Sequence, residues 1–372
     1  MDLNELRTEI DSIDDEILEL FVKRMEVCRR VADYKKENNL PILQNGREQQ
    51  LIERIRSKAP KGLEDGSELL FTEIMDISKN IQQRDVFSKN AHIMEPKLFL
   101  PKMARVIACP GTKGSNTELA AMKMFPEKEI RYYDGFDQVF DAVERKEADF
   151  GIIPIQSSTA GNVTETYELM AQRDFYIAET TCVKIEHCLA VKKGTSFMDI
   201  TKVYSHPQAL AQCSDFLREN SLVTKESLNT SLAAVKVAQS KEPCACICNR
   251  HCAEINGLEI INGNIANADK NLTRFICISK DFYATENSHI ISVCLAIPHR
   301  KGSLHRMLTK FALNGLDLVR LANKPLAGTE FEVIFFFDFE GRFDDLKICA
   351  LMDELKSEFS YFKFLGNYGE IK

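Results

Sequence analysis

The chain has 372 residues, with 48 Lys and Arg against 55 Asp and Glu for a net charge of −7. That length holds two or three domains, and the acidic balance argues against nucleic-acid binding as the main task. No apolar run approaches the roughly 20 residues of a membrane span, and the charged N-terminal segment lacks the apolar centre of a secretion signal, so a cytoplasmic protein with no membrane partner is expected.

Residues 1–88 read as three helices. In the first, about Asn4 to Asn38, Leu3, Leu6, Ile10, Ile13, Ile17, Leu20, Val27, Val31 and Tyr34 recur at alternating steps of three and four. This is a seam for burial along other helices. The slot between Leu20 and Val27 holds Arg24 instead. A guanidinium in a seam is costly unless an anion meets it, so Arg24 is either a register device or the mark of a hollow bundle that holds an acid. The second helix covers about Gln44–Lys58 and the third about Gly66–Phe87, with an apolar stripe at Leu70, Ile74, Ile77 and Ile81. A first helix of about 35 residues is roughly 50 Å long. The other two are too short to cover its seam, which predicts a homodimer or a higher homo-oligomer.

Arg24 and Lys35 are three turns apart, about 16 Å along one face, and can clasp a small dianion between them. Arg7 is about 26 Å from Arg24, too far to hold the same molecule. If it acts, it acts in the site of an antiparallel partner helix. Arg47 and Glu48 open the second helix, and Ser78 and Gln82 share a face of the third at i, i+4. Each alone reads as a solvated surface group; the set does not.

This set resembles the all-helical chorismate mutase family, whose Leu-Arg, Arg, Lys, Arg-Glu and Ser-x-x-x-Gln pattern falls on Arg7, Arg24, Lys35, Arg47-Glu48, Ser78 and Gln82. The resemblance implies an isomerase that rearranges chorismate to prephenate by a pericyclic step. Cations would hold the two carboxylates and fix the folded conformer. Lys35 and Gln82 would donate to the ether oxygen as charge grows there, and Glu48 would accept from the substrate hydroxyl. Gln44 stands where the family has Asp, so weaker binding at that contact is expected.

Residues 89–103, with Pro96 and Pro101, read as a linker. From Ala104 to Phe282, short apolar strands alternate with amphipathic helices, the α/β signature. Strands are expected at 105–109, 150–154, 203–205, 245–248 and 275–279, and helices at 117–125, 136–146, 163–172, 209–219 and 231–240. Cys244, Cys246 and Cys248 alternate as on one face of a strand, and with Cys252 they read as small buried hydrophobes rather than metal ligands. Gly111-Thr-Lys-Gly-Ser115 precedes a helix. Pro154-Ile-Gln-Ser-Ser158, Ser205-His-Pro-Gln208 and Asn271-Leu-Thr-Arg-Phe275 sit at strand ends, where open α/β sheets place ligands.

Together these resemble prephenate dehydratase over nearly all of residues 104–282, implying a two-lobed fold of the periplasmic-binding-protein type. The implied lyase reaction turns prephenate into phenylpyruvate, CO2 and water. The resemblance assigns the proton donor to Thr273, a positioned hydroxyl rather than a strong acid. Ser115, Ser157, Ser158, Ser205 and Gln208 are candidate substrate contacts, and Arg274 is either a counter-charge or a strand-end pin. The family's Pro-Ile-Glu-Asn-Ser reads here with Gln156 and Ser157, and its aromatic loop residue reads Asn116, which puts dehydratase rate in question.

Residues 288–372 read β-α-β-β-α-β, a ferredoxin-like order, at 289–297, 303–314, 316–322, 331–339, 343–359 and 362–365. Lys301-Gly-Ser-Leu-His305 and Leu365-Gly-Asn-Tyr368 resemble the ACT regulatory domain, which implies L-phenylalanine as an allosteric ligand near Gly302, Ser303, Leu304 and Asn314. The family's Glu-Ser-Arg-Pro reads Ala322-Asn-Lys-Pro325, so weaker feedback is expected. The whole is a multidomain α and α/β protein resembling bifunctional chorismate mutase–prephenate dehydratases of phenylalanine biosynthesis. Neither metal nor organic cofactor is implied. The competing readings are a ligand-sensing protein and a mutase with a weakened dehydratase.

Overall fold

A computed structural model describes residues 2–38, 45–87, 95–99, 101–268, 270–300, 302–325 and 333–372. The N-terminal region is α1 (Leu3–Glu37), α2 (Asn45–Lys58) and α3 (Glu64–Phe87). The seam of α1 stays in solvent within one chain, from Leu3 through Ile17 and Leu20 to Tyr34. Among the described residues of α1, only Met25 and Ala32 are buried, because α3 covers that side. The expected stripe on α3 is shifted: Leu70 is exposed, and the buried positions include Met75, Ser78 and Gln82. No helix among the described residues is long and apolar enough to cross a membrane.

A first α/β lobe follows, with β1 (Lys97–Leu98), β2 (Val106–Pro110), α4 (Asn116–Met124), β3 (Glu129–Tyr133), α5 (Phe136–Glu144), β4 (Phe150–Ser157), β5 (Gly161–Asn162), α6 (Thr164–Gln172) and β6 (Tyr176–Lys184). The chain crosses into a second lobe with β7 (Cys188–Lys192), β8 (Val203–Ser205), α7 (Pro207–Gln212), α8 (Ser214–Glu219), β9 (Thr224–Glu226), α9 (Thr230–Gln239), β10 (Ala245–Cys248), α10 (Arg250–Ile255) and β11 (Leu258–Asn262). It returns through β12 (Leu272–Ser279) and β13 (Tyr283–Ala284). The single helix expected at 209–219 is two short ones, parted at Cys213. Of the alternating cysteines, Cys246 and Cys248 lie in β10 and Cys244 directly precedes it, and with Cys252 they share one core with Ala233, Ala234 and Val237. The expected linker is partly packed structure: Lys97–Leu98 pairs with β13, and Phe99 is buried against Phe125, Phe150 and Tyr283.

The C-terminal module is β14 (Ile290–Ile297), α11 (Ser303–Leu313), β15 (Leu318–Pro325), β16 (Val333–Glu340), α12 (Leu346–Glu358) and β17 (Phe362–Tyr368), ending in β18 (Glu370–Ile371). Its sheet order β15-β16-β14-β17 is that of a ferredoxin-like fold. Strand β18 leaves the module and extends the first lobe in the order β18-β6-β12-β4-β2-β3. Ala322, Ile334, Phe336, Leu365 and Tyr368 join one core with Tyr167, Met170 and Ile177 of that lobe. On its other side, the module's helices meet α3, where Glu73 lies 2.7 Å from His305 Nε2.

Candidate functional sites

Arg24 is half-buried between α1 and α3, where its Nη1 donates to Ser78 Oγ (2.5 Å) and to the Ile74 carbonyl (3.3 Å). One turn on, Gln82 Nε2 donates to the Cys28 carbonyl at 3.2 Å. Lys35 is half-buried further along α1. Glu48 on α2 is held by Lys79 Nζ at 2.7 Å. Helix packing thus brings Arg24, Ser78 and Gln82 together from segments more than fifty residues apart, and a cation beside amide and hydroxyl donors suits an anionic ligand. Arg7 is exposed near the start of α1 and Arg47 near the start of α2. Arg7 is not brought to Arg24 within one chain, and Gln44 lies outside the described residues.

The two lobes are joined by crossovers that bond each other: Ile185 N–H to the Asn271 carbonyl, and Ile265 N–H to the His187 carbonyl, both 2.8 Å. Beside them lies a cleft of about 460 Å³ lined by Asn116, Ser157, Gln208 and Thr273, together with His187, Gln212 and Asn271. Ser157 and Thr273 face it side by side because β4 and β12 pair them directly. His187 Nε2 lies 2.7 Å from Gln212 Oε1, and Gln212 Nε2 donates to Thr159 Oγ1 at 2.8 Å. Asn271 Nδ2 also donates to Gln212 Oε1, at 3.3 Å. Burial pushes the His187 pKa below its ordinary range, partly offset by its bond to Gln212. The cleft therefore presents neutral, hydrogen-bonding walls.

Four expected contacts are elsewhere. Ser115 caps α4 by accepting from Glu118 N–H at 3.1 Å, so its hydroxyl serves the helix. Ser158 accepts from Leu272 N–H at 2.9 Å and tethers the second crossover. Ser205 is fully buried and donates to the Ile247 carbonyl at 2.7 Å. Arg274 follows Thr273 in a strand and so points to the opposite face, where it meets Glu370 at 3.5 Å. His187, Gln212 and Thr159 were not singled out from the sequence; the one signal was that His187 stands directly before the apolar run Cys188–Val191.

The lobes also touch away from the crossovers. Asn249 Nδ2 donates to the Gly114 carbonyl (2.9 Å) and to Asn116 Oδ1 (2.8 Å). Asn116, an aromatic position in the resembled family, here bonds the second lobe. His251 Nε2 lies 3.3 Å from Glu118 Oε2 across the same contact.

In the C-terminal module, Gly302 has φ +81°, and among the described residues no heavy atom beyond its chain neighbours lies within 4 Å of where a Cβ would stand. It caps α11, whose first residues are Ser303 and Leu304. Asn314, at the other end, donates back to the Lys310 carbonyl at 2.8 Å. Lys324 of the altered segment donates to the Thr164 carbonyl (3.4 Å) and pairs with Glu168 on α6. The segment Ala322–Lys324 is therefore a docking contact with the first lobe.

Two family models match the chain. The family model described as chorismate mutase type II matches residues 6–83, and that for prephenate dehydratase matches residues 107–282. A bifunctional chorismate mutase/prephenate dehydratase of Aquifex aeolicus is 29% identical, covering 99% of this chain and 98% of that protein. Among solved structures, a protein described as a novel type of quorum-quenching acylase, GqqA, matches with TM-score 0.65 and 26% identity, over 72% of this chain and 98% of that one. The fold of a prephenate dehydratase from Arthrobacter aurescens, solved with L-Phe, matches with TM-score 0.65 and 24% identity, over 71% of this chain and 89% of that one.

Proposed function

The chain belongs to the chorismate mutase type II and prephenate dehydratase families, and we propose that it carries out both reactions in succession for phenylalanine biosynthesis: chorismate to prephenate, then prephenate to phenylpyruvate, CO2 and water. The observation that carries the reading is the assembly of two separate polar sites, Arg24–Ser78–Gln82 between helices and Ser157–Gln208–Thr273 between lobes.

In the helical site, Arg24 and Lys35 hold the substrate carboxylates and select the folded conformer, which converts binding into orientation. Lys35 and Gln82 donate to the ether oxygen while the C–O bond breaks and negative charge gathers there. Glu48 accepts from the substrate hydroxyl. Arg7 enters from a second copy: the bare seam from Leu3 to Tyr34 supports an antiparallel pairing of two α1 helices, because apolar surface on that scale is normally covered.

In the cleft, departure of CO2 sends an electron pair into the ring and expels the hydroxyl, which leaves as water with a proton relayed through Thr273. His187, Gln212 and Asn271 hold the adjoining wall. Ser157 is shorter than Asn and supports a second reading for the rate alone, a slow dehydratase behind a normal mutase. We assign residues 288–372 as an ACT domain that takes L-phenylalanine beside Gly302–Leu304 and Asn314.

The test is a pair of variants. Arg24→Ala should abolish chorismate consumption and leave turnover of supplied prephenate intact, while Thr273→Ala should do the reverse. Thr273→Ala with near-normal phenylpyruvate formation would remove that residue from the proton path. Loss of both activities in both variants would refute two independent sites.

A further inference from the structure

Lys79 lies outside the set of polar residues that the sequence pattern singles out. Its ammonium is 2.7 Å from Glu48 Oε2 and 3.3 Å from Asp76 Oδ1, and its side chain is only 21% exposed. Helix α3 presents Ser78 and Gln82 to α1, and its other side meets α11 and α12. There Thr309 Oγ1 donates to Glu73 Oε2 at 3.4 Å, and Arg306 Nε stands 4.0 Å from Asp76 Oδ2. Glu354 of α12 is buried and ion-paired with Lys310 of α11. Burial pushes the Glu354 carboxyl up, Lys310 pulls it back, and the charge of Lys79 pulls in the same direction. One ammonium therefore holds a carboxylate of α2 and one of α3, and the second of these faces Arg306 of the C-terminal module.

We propose that Lys79 is a positioning residue for the chorismate rearrangement, fixing Glu48 by one carboxylate oxygen. The proposal rests on the role assigned to Glu48 above. A glutamate on a helix surface samples several rotamers. An ion pair largely out of water selects one, and occupying Oε2 leaves Oε1 to accept from the substrate hydroxyl. Without the ammonium, Glu48 and Asp76 face each other as like charges, and the acceptor is driven from its place. A displacement of about 1 Å at a positioned group costs up to about a hundredfold in rate.

The full-length chain is compared as wild type, Lys79→Met, Lys79→Arg, Glu48→Gln and the Glu48→Gln/Lys79→Met double variant. Chorismate consumption is measured, and phenylpyruvate formation from supplied prephenate in the same preparations reports that the chain is folded. Lys79→Met is expected to lower mutase kcat by about tenfold or more with KM changed less than about threefold, while prephenate turnover stays at wild-type rate. Arginine should recover most of the loss. The double variant should be no slower than Glu48→Gln, since Lys79 acts through that carboxylate. Normal mutase kcat in Lys79→Met beside an impaired Glu48→Gln would overturn the proposal and leave the mutase reading standing. Losses that multiply in the double variant would overturn it equally. Normal mutase activity in Glu48→Gln would instead refute the role of Glu48 and take the proposal with it.

Discussion

Gly114 packs tightly against the second lobe, and adding one methyl group there should separate a dehydratase defect from a mutase defect. Its φ of +87° is a conformation that L side chains rarely adopt, and a Cβ would stand 2.9 Å from Cys252 Sγ and 3.0 Å from Ile255 Cδ1. Both contacts belong to α10 of the opposite lobe. Left-handed backbone costs alanine about 1–2 kcal/mol, and overpacking of this kind costs a further 1–3 kcal/mol or so. The second penalty is escaped if the lobes part by a few tenths of an ångström, which also stretches the Asn249 bonds to Gly114 and Asn116. At about 1.4 kcal/mol per tenfold, even 1.4 kcal/mol placed on the closed state raises KM for prephenate about tenfold. Gly114→Ala should therefore show a dehydratase KM raised about tenfold or more with chorismate turnover unchanged, read by steady-state phenylpyruvate formation. Adding Cys252→Ala should recover part of the loss by removing the sulfur. A Gly114→Ala enzyme with wild-type KM for prephenate would show that the lobes need not approach this closely for catalysis.

Mixing and re-equilibrating Arg7→Ala and Arg24→Ala subunits, each inactive as a mutase alone, should restore chorismate turnover by placing both lesions in one of two shared sites; a mixture that stays inactive would exclude Arg7 from acting across subunits. Burial pushes the Glu179 carboxyl up to about 7, against hydrogen bonds from the Thr180 and Gly369 backbone. A carboxyl raised in the folded state lends stability fully present below its unfolded value near 4.5 and lost as pH rises through about 7. Glu179→Gln should thus gain on wild type by about 2–3 kcal/mol between pH 5 and pH 8 in denaturant titrations, and parallel stability curves would contradict this. Gln156 pairs with Arg274 across β4 and β12, on the face away from the cleft. Gln156→Glu should raise the melting temperature without changing dehydratase kcat, whereas Ser157→Asn, which lines the cleft, should change kcat. A kcat change from Gln156→Glu alone would place that residue in the active cleft.

The parts of this architecture that repeat in sequence were legible there. The three-four spacing on α1, the alternating cysteines of β10 and the βαββαβ order of the last third all follow from residue period, and the element ends fall within a few positions of expectation. The polar cluster on α1 and α3 was legible because helix geometry puts Ser78 and Gln82 on one face. The cleft was harder. Thr273, Ser157 and Gln208 line it, but motif membership also drew in Ser115, Ser158, Ser205 and Arg274. Strand alternation alone argues against Arg274 once Thr273 is assigned to the cleft, since neighbours in a strand face opposite ways. The hydroxyls of Ser115, Ser158 and Ser205 serve backbone groups, a choice set by turns and caps that no spacing encodes. The meeting of α3 with α11 and α12 rests on single polar pairs such as Glu73–His305. Such pairs have no period and could not be read before the fold was known.

The central claim is that one chain performs two consecutive reactions at two sites. It is tested most directly by giving the purified protein chorismate alone and following chorismate, prephenate and phenylpyruvate separately in time. The account predicts that prephenate appears first and phenylpyruvate after a lag, with a slow second phase if Ser157 weakens the cleft. Chorismate left unconsumed would contradict the helical site, and prephenate that accumulates without any phenylpyruvate would contradict the cleft.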